Sequence, residues 1–164
     1  MASPVRAAPL ALLALLALTA LPAAAELAGH IKRMEGDVRI VRNKQTIPAT
    51  PGSEILAGDR LVTGANGSVG LTTTDNSLLA LGPNSHLALD NYAYNQATQQ
   101  GNMAVRFLKG TFAAITGLIG KIAPQNVKVT TPTATIGIRG TEFVVKVDLP
   151  AELETEILDL EVTR

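Results

Sequence analysis

The sequence predicts an all-β domain built from short strands, and three observations carry that reading. Apolar residues recur with period two, turn dipeptides return about every eight residues, and no segment before residue 148 shows a 3.6-residue period. Val69 and Leu71 alternate with Ser68, Gly70 and Thr72, and Leu87 and Leu89 alternate with His86, Ala88 and Asp90. Val105 and Phe107, Val127 and Val129, and Ile136 and Ile138 repeat the pattern. Such alternation sends one row of side chains to a core and the other to solvent.

Reversals are expected at Gly58-Asp59, Asn66-Gly67, Asp75-Asn76, Pro83-Asn84 and Asp90-Asn91. Asn66-Gly67 suits a two-residue hairpin turn whose central residues both take positive φ. With Ser68 it also spells a glycosylation sequon, and we read it as the turn. Ala93 to Met103 is polar and poor in aliphatic residues, which predicts a long loop between strands. In the apolar stretch from Ala113 to Ile122, Gly117 and Gly120 interrupt, predicting a strand end and a buried turn. The end of the chain is two-sided. Leu149, Leu153, Ile157 and Leu160 can line a helix face, while Leu158, Leu160 and Val162 alternate as a last strand; we read 156–163 as strand.

The N-terminus is a separate segment. Arg6 precedes an apolar run of 12 residues from Leu10 to Leu21, then Pro22 and the small residues Ala23, Ala24 and Ala25. This is the anatomy of a cleaved signal peptide, and the run is short of the roughly 20 residues that span a membrane. The expected organisation is a signal peptide at 1–25, an all-β domain at 26–147 and an acidic extension at 148–164. The mature product is expected in the periplasm, with no membrane span.

Composition bounds the chemistry. The chain has 164 residues, 14 Lys and Arg against 14 Asp and Glu, and no Cys. Disulfides, thiolate metal sites, Cys nucleophiles and Cys lipidation are therefore excluded. The even charge gives no footprint for nucleic acid. It conceals an asymmetry: residues 26–147 carry 8 acidic and 12 basic side chains, and six of the acids fall in the last 17 residues. The basic residues of the body stand singly, except for the pair Lys32-Arg33. Three Phe and two Tyr cannot furnish the two aromatic girdles of a transmembrane β-barrel.

Two stretches, AGDRLVTGANGSVGLTTTDNSLLALGPNSHLALD at 57–90 and VTTPTATIGIRGTEFVVKV at 129–147, resemble the FecR domain, the periplasmic part of the iron-dicitrate regulator family. Gly58-Asp59-Arg60-Leu61-Val62-Thr63 is similar to the family's G-D-x-L-x-T strand. Asp75-Asn76-Ser77 stands where Asp-Gly-Ser is usual, Pro83-Asn84-Ser85 fits the next corner, and Thr131-Pro132, Ala134, Arg139-Gly140-Thr141 and Phe143 fit the closing stretch. The resemblance implies an all-β body that is solenoid-like or sandwich-like. It further implies a domain without the cytoplasmic anti-sigma segment and membrane helix of full-length regulators.

Candidate chemistry is sparse. His30 and His86 lack metal-ligand spacing, the serines at 53, 68, 77 and 85 sit in turn contexts, and no nucleophile elbow occurs. No enzyme, cofactor or metal is expected. Arg139-Gly140-Thr141 is the sharpest local feature. Arg139 is expected either to receive an acidic group of a partner or to pair internally with Asp59 or Asp75, fixing the closing strand. The leading functional expectation is a non-enzymatic interaction or envelope-signalling module that meets an envelope or secreted protein through a strand edge or loop. The 93–103 segment and the acidic end are the candidate contacts. The alternative is a peptidoglycan or carbohydrate binder using Tyr92 and Tyr94, the only tyrosines.

Overall fold

A computed structural model describes residues 25–139 and 142–150. The expected signal peptide, Gly140, Thr141 and the strand expected at 156–163 lie outside the described residues. Twelve strands form one curled sheet in two wings. In the first wing, β4 (Glu54–Leu56), β1 (Leu27–Glu35), β6 (Ser68–Thr73) and β7 (Leu78–Leu81) run side by side. In the second, β3 (Gln45–Pro48), β2 (Val38–Arg42), β5 (Arg60–Thr63) and β8 (His86–Asn95) do the same.

The wings share β9 (Gln100–Ile115), a strand of 16 residues. Its first part lies between β8 and β10 (Val127–Thr130), and β11 (Thr135–Gly137) lies beyond β10. Its last part lies between β7 and β12 (Glu142–Val147). The exchange of partners occurs at Gly110, whose φ is 97°, beside the bulged residue Leu108. A Cβ at Gly110 would collide with the Ser85 hydroxyl, so only glycine turns this corner. Phe107 and Phe112 flank it with ring centroids 5.5 Å apart, and Phe112 meets Phe143 edge-on at 5.7 Å.

One core cluster draws on both wings: Ile31, Leu71 and Leu79 from the first, Ile40, Leu61 and Leu87 from the second. The all-β expectation holds, in the form of one curled sheet wrapped around this core. Val69 and Leu71, Leu87 and Leu89, Val105 and Phe107, and Val127 and Val129 are all buried as the alternation predicts.

Four local expectations are corrected. The positive-φ hairpin pair is Asn43-Lys44, which joins β2 to β3; Asn66-Gly67 belongs to a turn in which the Gly67 N–H donates to the Gly64 carbonyl. Asp90 is no turn residue but the extra residue of a bulge in β8, held by a two-point contact from Arg106. The 93–103 segment is not a long loop, because β8 and β9 continue pairing to Asn95 and Gln100 with four residues between. After Ile115 one short helix forms, α1 (Leu118–Ile122), because the Leu118 N–H caps onto the Asp75 carbonyl at 2.8 Å.

Candidate interaction face

Most of the polar side chains buried among the described residues gather in three knots, and each sits where a sequence motif marked a corner. Asp59 is 1% exposed; Arg42 reaches it with Nε to Oδ1 at 2.8 Å and Nη2 to Oδ2 at 2.7 Å, and the Leu56 N–H also donates to it. The hydrogen bonds to Asp59 hold the Arg42 guanidinium above its ordinary pKa. In the second knot the Ser85 N–H donates to Thr63 Oγ1, which itself donates to the Gly82 carbonyl, while the Thr111 N–H donates to Ser85 Oγ.

The third knot centres on Asp75, which is fully buried. Its carboxylate accepts from the hydroxyls of Thr73, Ser77 and Tyr92 and from the Ile119 N–H. Burial pushes the Tyr92 phenol up to about 12, with the Asp75 charge adding to the effect. The Asp75 N–H donates back to the Tyr92 oxygen at 3.0 Å. The Ser77 hydroxyl donates to Asp75 and accepts the Gly117 N–H, so both of its directions are used inside the protein. These knots satisfy buried polar groups at corners.

The expected site residues are therefore not one cluster. Tyr92 is 1% exposed and is a bolt of the Asp75 knot, which removes it from any sugar-stacking platform. Tyr94 is half-buried against the core. Arg139 is exposed just past β11, and the internal pairing expected for it fails: Asp59 is held by Arg42, and Asp75 by Thr73, Ser77 and Tyr92.

A feature the sequence reading missed is the outward face of the first wing. An antiparallel sheet with one solvated side normally turns polar residues outward. Here Leu78 and Ala80 of β7, Ala113 and Ile115 of β9, and Val144 of β12 point out. Leu78 is 47% exposed, Ile115 43% and Val144 65%, so three of the five large exposed apolar residues among those described share this face. Register places Thr72, Leu78, Ile115 and Glu142 in one cross-strand row and Gly70, Ala80, Ala113 and Val144 in the next.

The small residues leave a groove of about 350 Å³, with Lys32 and Arg33 at one side and Glu142 at the other. In a regular strand Lys32 and Arg33 would point to opposite faces. The register of β1 slips between Ile31 and Arg33, and this bulge turns both cations onto the same groove. Beside the groove, β12 pairs only with β9 among the described residues, leaving its other edge open.

A family model described as FecR protein matches residues 59–162, which takes in the Thr63–Ser85 and Asp75 knots, Asp59 without its partner Arg42, and the grooved face apart from Lys32 and Arg33. No curated protein and no solved structure matches the chain.

Proposed function

The chain belongs to the FecR protein family, and from that footing we propose that it is an exported, non-enzymatic interaction module of the bacterial envelope, working in envelope signalling or assembly through the outer face of its first wing. The observation that carries the reading is the exposed apolar groove bounded by Lys32, Arg33 and Glu142. A contiguous apolar patch of this kind, rimmed by charge, is the ordinary mark of a protein-binding surface. Among the described residues the outer edge of β12 pairs with no strand, so its backbone donors and acceptors beside the groove could take an added strand.

Export is supported by the signal-like pattern of Arg6, Leu10–Leu21 and Ala23–Ala25. No helix among the described residues is long and apolar enough to cross a membrane. A non-enzymatic role is supported by the state of the buried hydroxyls and carboxylates, which are consumed in corner hydrogen bonds.

The test is a photo-cross-linking residue placed at Leu78 in cells, with Thr98 in the β8–β9 turn as the control position. A discrete protein adduct from position 78 and none from position 98 is the expected result. Adducts of equal yield from both positions, or none from either, would overturn the reading.

A further inference from the structure

The groove has a polarity that names a partner. Across the first wing the strand order is β4, β1, β6, β7, β9 and β12, so β1 and β12, which carry the charged rims, lie two strands to either side of β7. The cations Lys32 and Arg33 are on the β1 side, and the anion Glu142 is on the β12 side. Among the described residues neither Lys32, Arg33 nor Glu142 has a charged partner within the chain.

We propose that this face docks against the same face of a second copy of the chain, about a two-fold axis lying between the two faces and running near β7. Such an axis lays β1 of one copy over β12 of the other. Glu142 of each copy then falls over the His30 level of its mate's β1, one row from Arg33 and within reach of the long Lys32 and Arg33 side chains, twice over, as an isologous contact requires. The sizes agree with the charges. Ile115 on β9 falls over the Thr72 level of β6, Ala113 falls over Gly70, and the Leu78 side chains meet near the axis. Sheets stacked face to face sit about 10 Å apart and within about 30° of alignment, which the small residues of the groove accommodate. Four strand spacings of about 4.8 Å make the face roughly 19 Å wide, so the pair is a small interface that dissociates on dilution.

The inference rests on the reading of this face as an interaction surface and names its occupant. It is tested by sedimentation of the purified protein over a wide concentration range, with circular dichroism as the check on folding. The expected result is a monomer–dimer equilibrium. The variant carrying Lys32→Glu and Arg33→Glu, and separately Glu142→Lys, each raise the dissociation constant at least about tenfold by setting like charges opposite each other. Mixing these two variants restores the pair, since each supplies the charge the other lacks. Ala80→Arg, which blocks the centre of the face without touching the charges, also gives monomer.

A protein that stays monomeric at the highest concentrations overturns the proposal, as does a dimer indifferent to all these changes. If the protein is monomeric while Leu78 still cross-links a different envelope protein, the second-copy inference falls and the interaction surface stands. If it dimerises as proposed and Leu78 cross-links only its own kind, both stand.

Discussion

Arg42 and Asp59 meet through two parallel N–H···O bonds of 2.8 and 2.7 Å, tying the end of β2 to the turn ahead of β5. Removing Arg42 would strand a carboxylate that is 1% exposed. The guanidinium side chain is 29% exposed, so solvent screens part of the loss. Arg42→Ala is expected to cost about 2–3 kcal/mol in urea unfolding, below the upper range for fully buried pairs. Arg42→Lys should recover only part of this, because an ammonium cannot reproduce the two-point contact.

Tyr92 gives a pH signature. Its folded pKa is raised to about 12, above its unfolded value near 10. A raised folded pKa means stability fully present below pH ~10 and lost as pH climbs through ~12. Tyr92→Phe keeps the ring but strips the hydroxyl from the Thr74 and Asp75 groups, an expected cost of about 1–2 kcal/mol at neutral pH. The stability difference between wild type and variant should shrink between pH 10 and 12 as the wild type ionises. A difference that stays constant across that window would contradict the assignment.

Gly110 is expected to be intolerant. At φ 97° a branched side chain is strained, and its Cβ would strike Ser85. Gly110→Val should lose at least about 2 kcal/mol in thermal or denaturant unfolding. Gly137, where a Cβ meets nothing within 4 Å, serves as the matched position, with Gly137→Ala expected within about 0.5 kcal/mol.

Arg139 offers the opposite outcome. It is exposed and takes no part in the knots at Asp59 and Asp75. Arg139→Ala should leave the unfolding midpoint within about 0.5 kcal/mol of wild type. A large loss would restore an internal role for this side chain.

The corners were legible in the sequence because their chemistry is local. Asn76 and Asn84 take φ of 64° and 51°, the left-handed geometry that Asn tolerates, and Ser77 and Ser85 bond within or beside their own turns. What escaped depends on distant partners. Nothing near Asp59 announces that Arg42, 17 residues back, will claim it. Asp90-Asn91 reads as a turn because a bulge uses the same residue types, and only the pairing with β9 tells them apart. The α1 turn forms on a carbonyl more than forty residues upstream.

The outward face escaped for another reason. Leu78, Leu79, Ala80 and Leu81 are an unbroken apolar run, so period-two reasoning cannot tell which pair faces the core. The structure buries Leu79 and Leu81 and leaves Leu78 and Ala80 outside. Likewise Lys32-Arg33 was visible as the one basic pair, but its common direction comes from a bulge defined by the partner strand.

Because β9 serves both wings, neither wing of the described body stands without it. In a stack of repeats each unit rests on its neighbours, and a terminal unit can be deleted with a proportionate loss. Here β7, β8, β10 and β12 all lean on the same 16 residues. A chain cut before residue 100 would leave the borders of both wings bare at once, with β7 and β8 each facing solvent. Unfolding is therefore expected to be all-or-none across the described body, and fragments that keep one wing should be sticky and short-lived rather than half as stable.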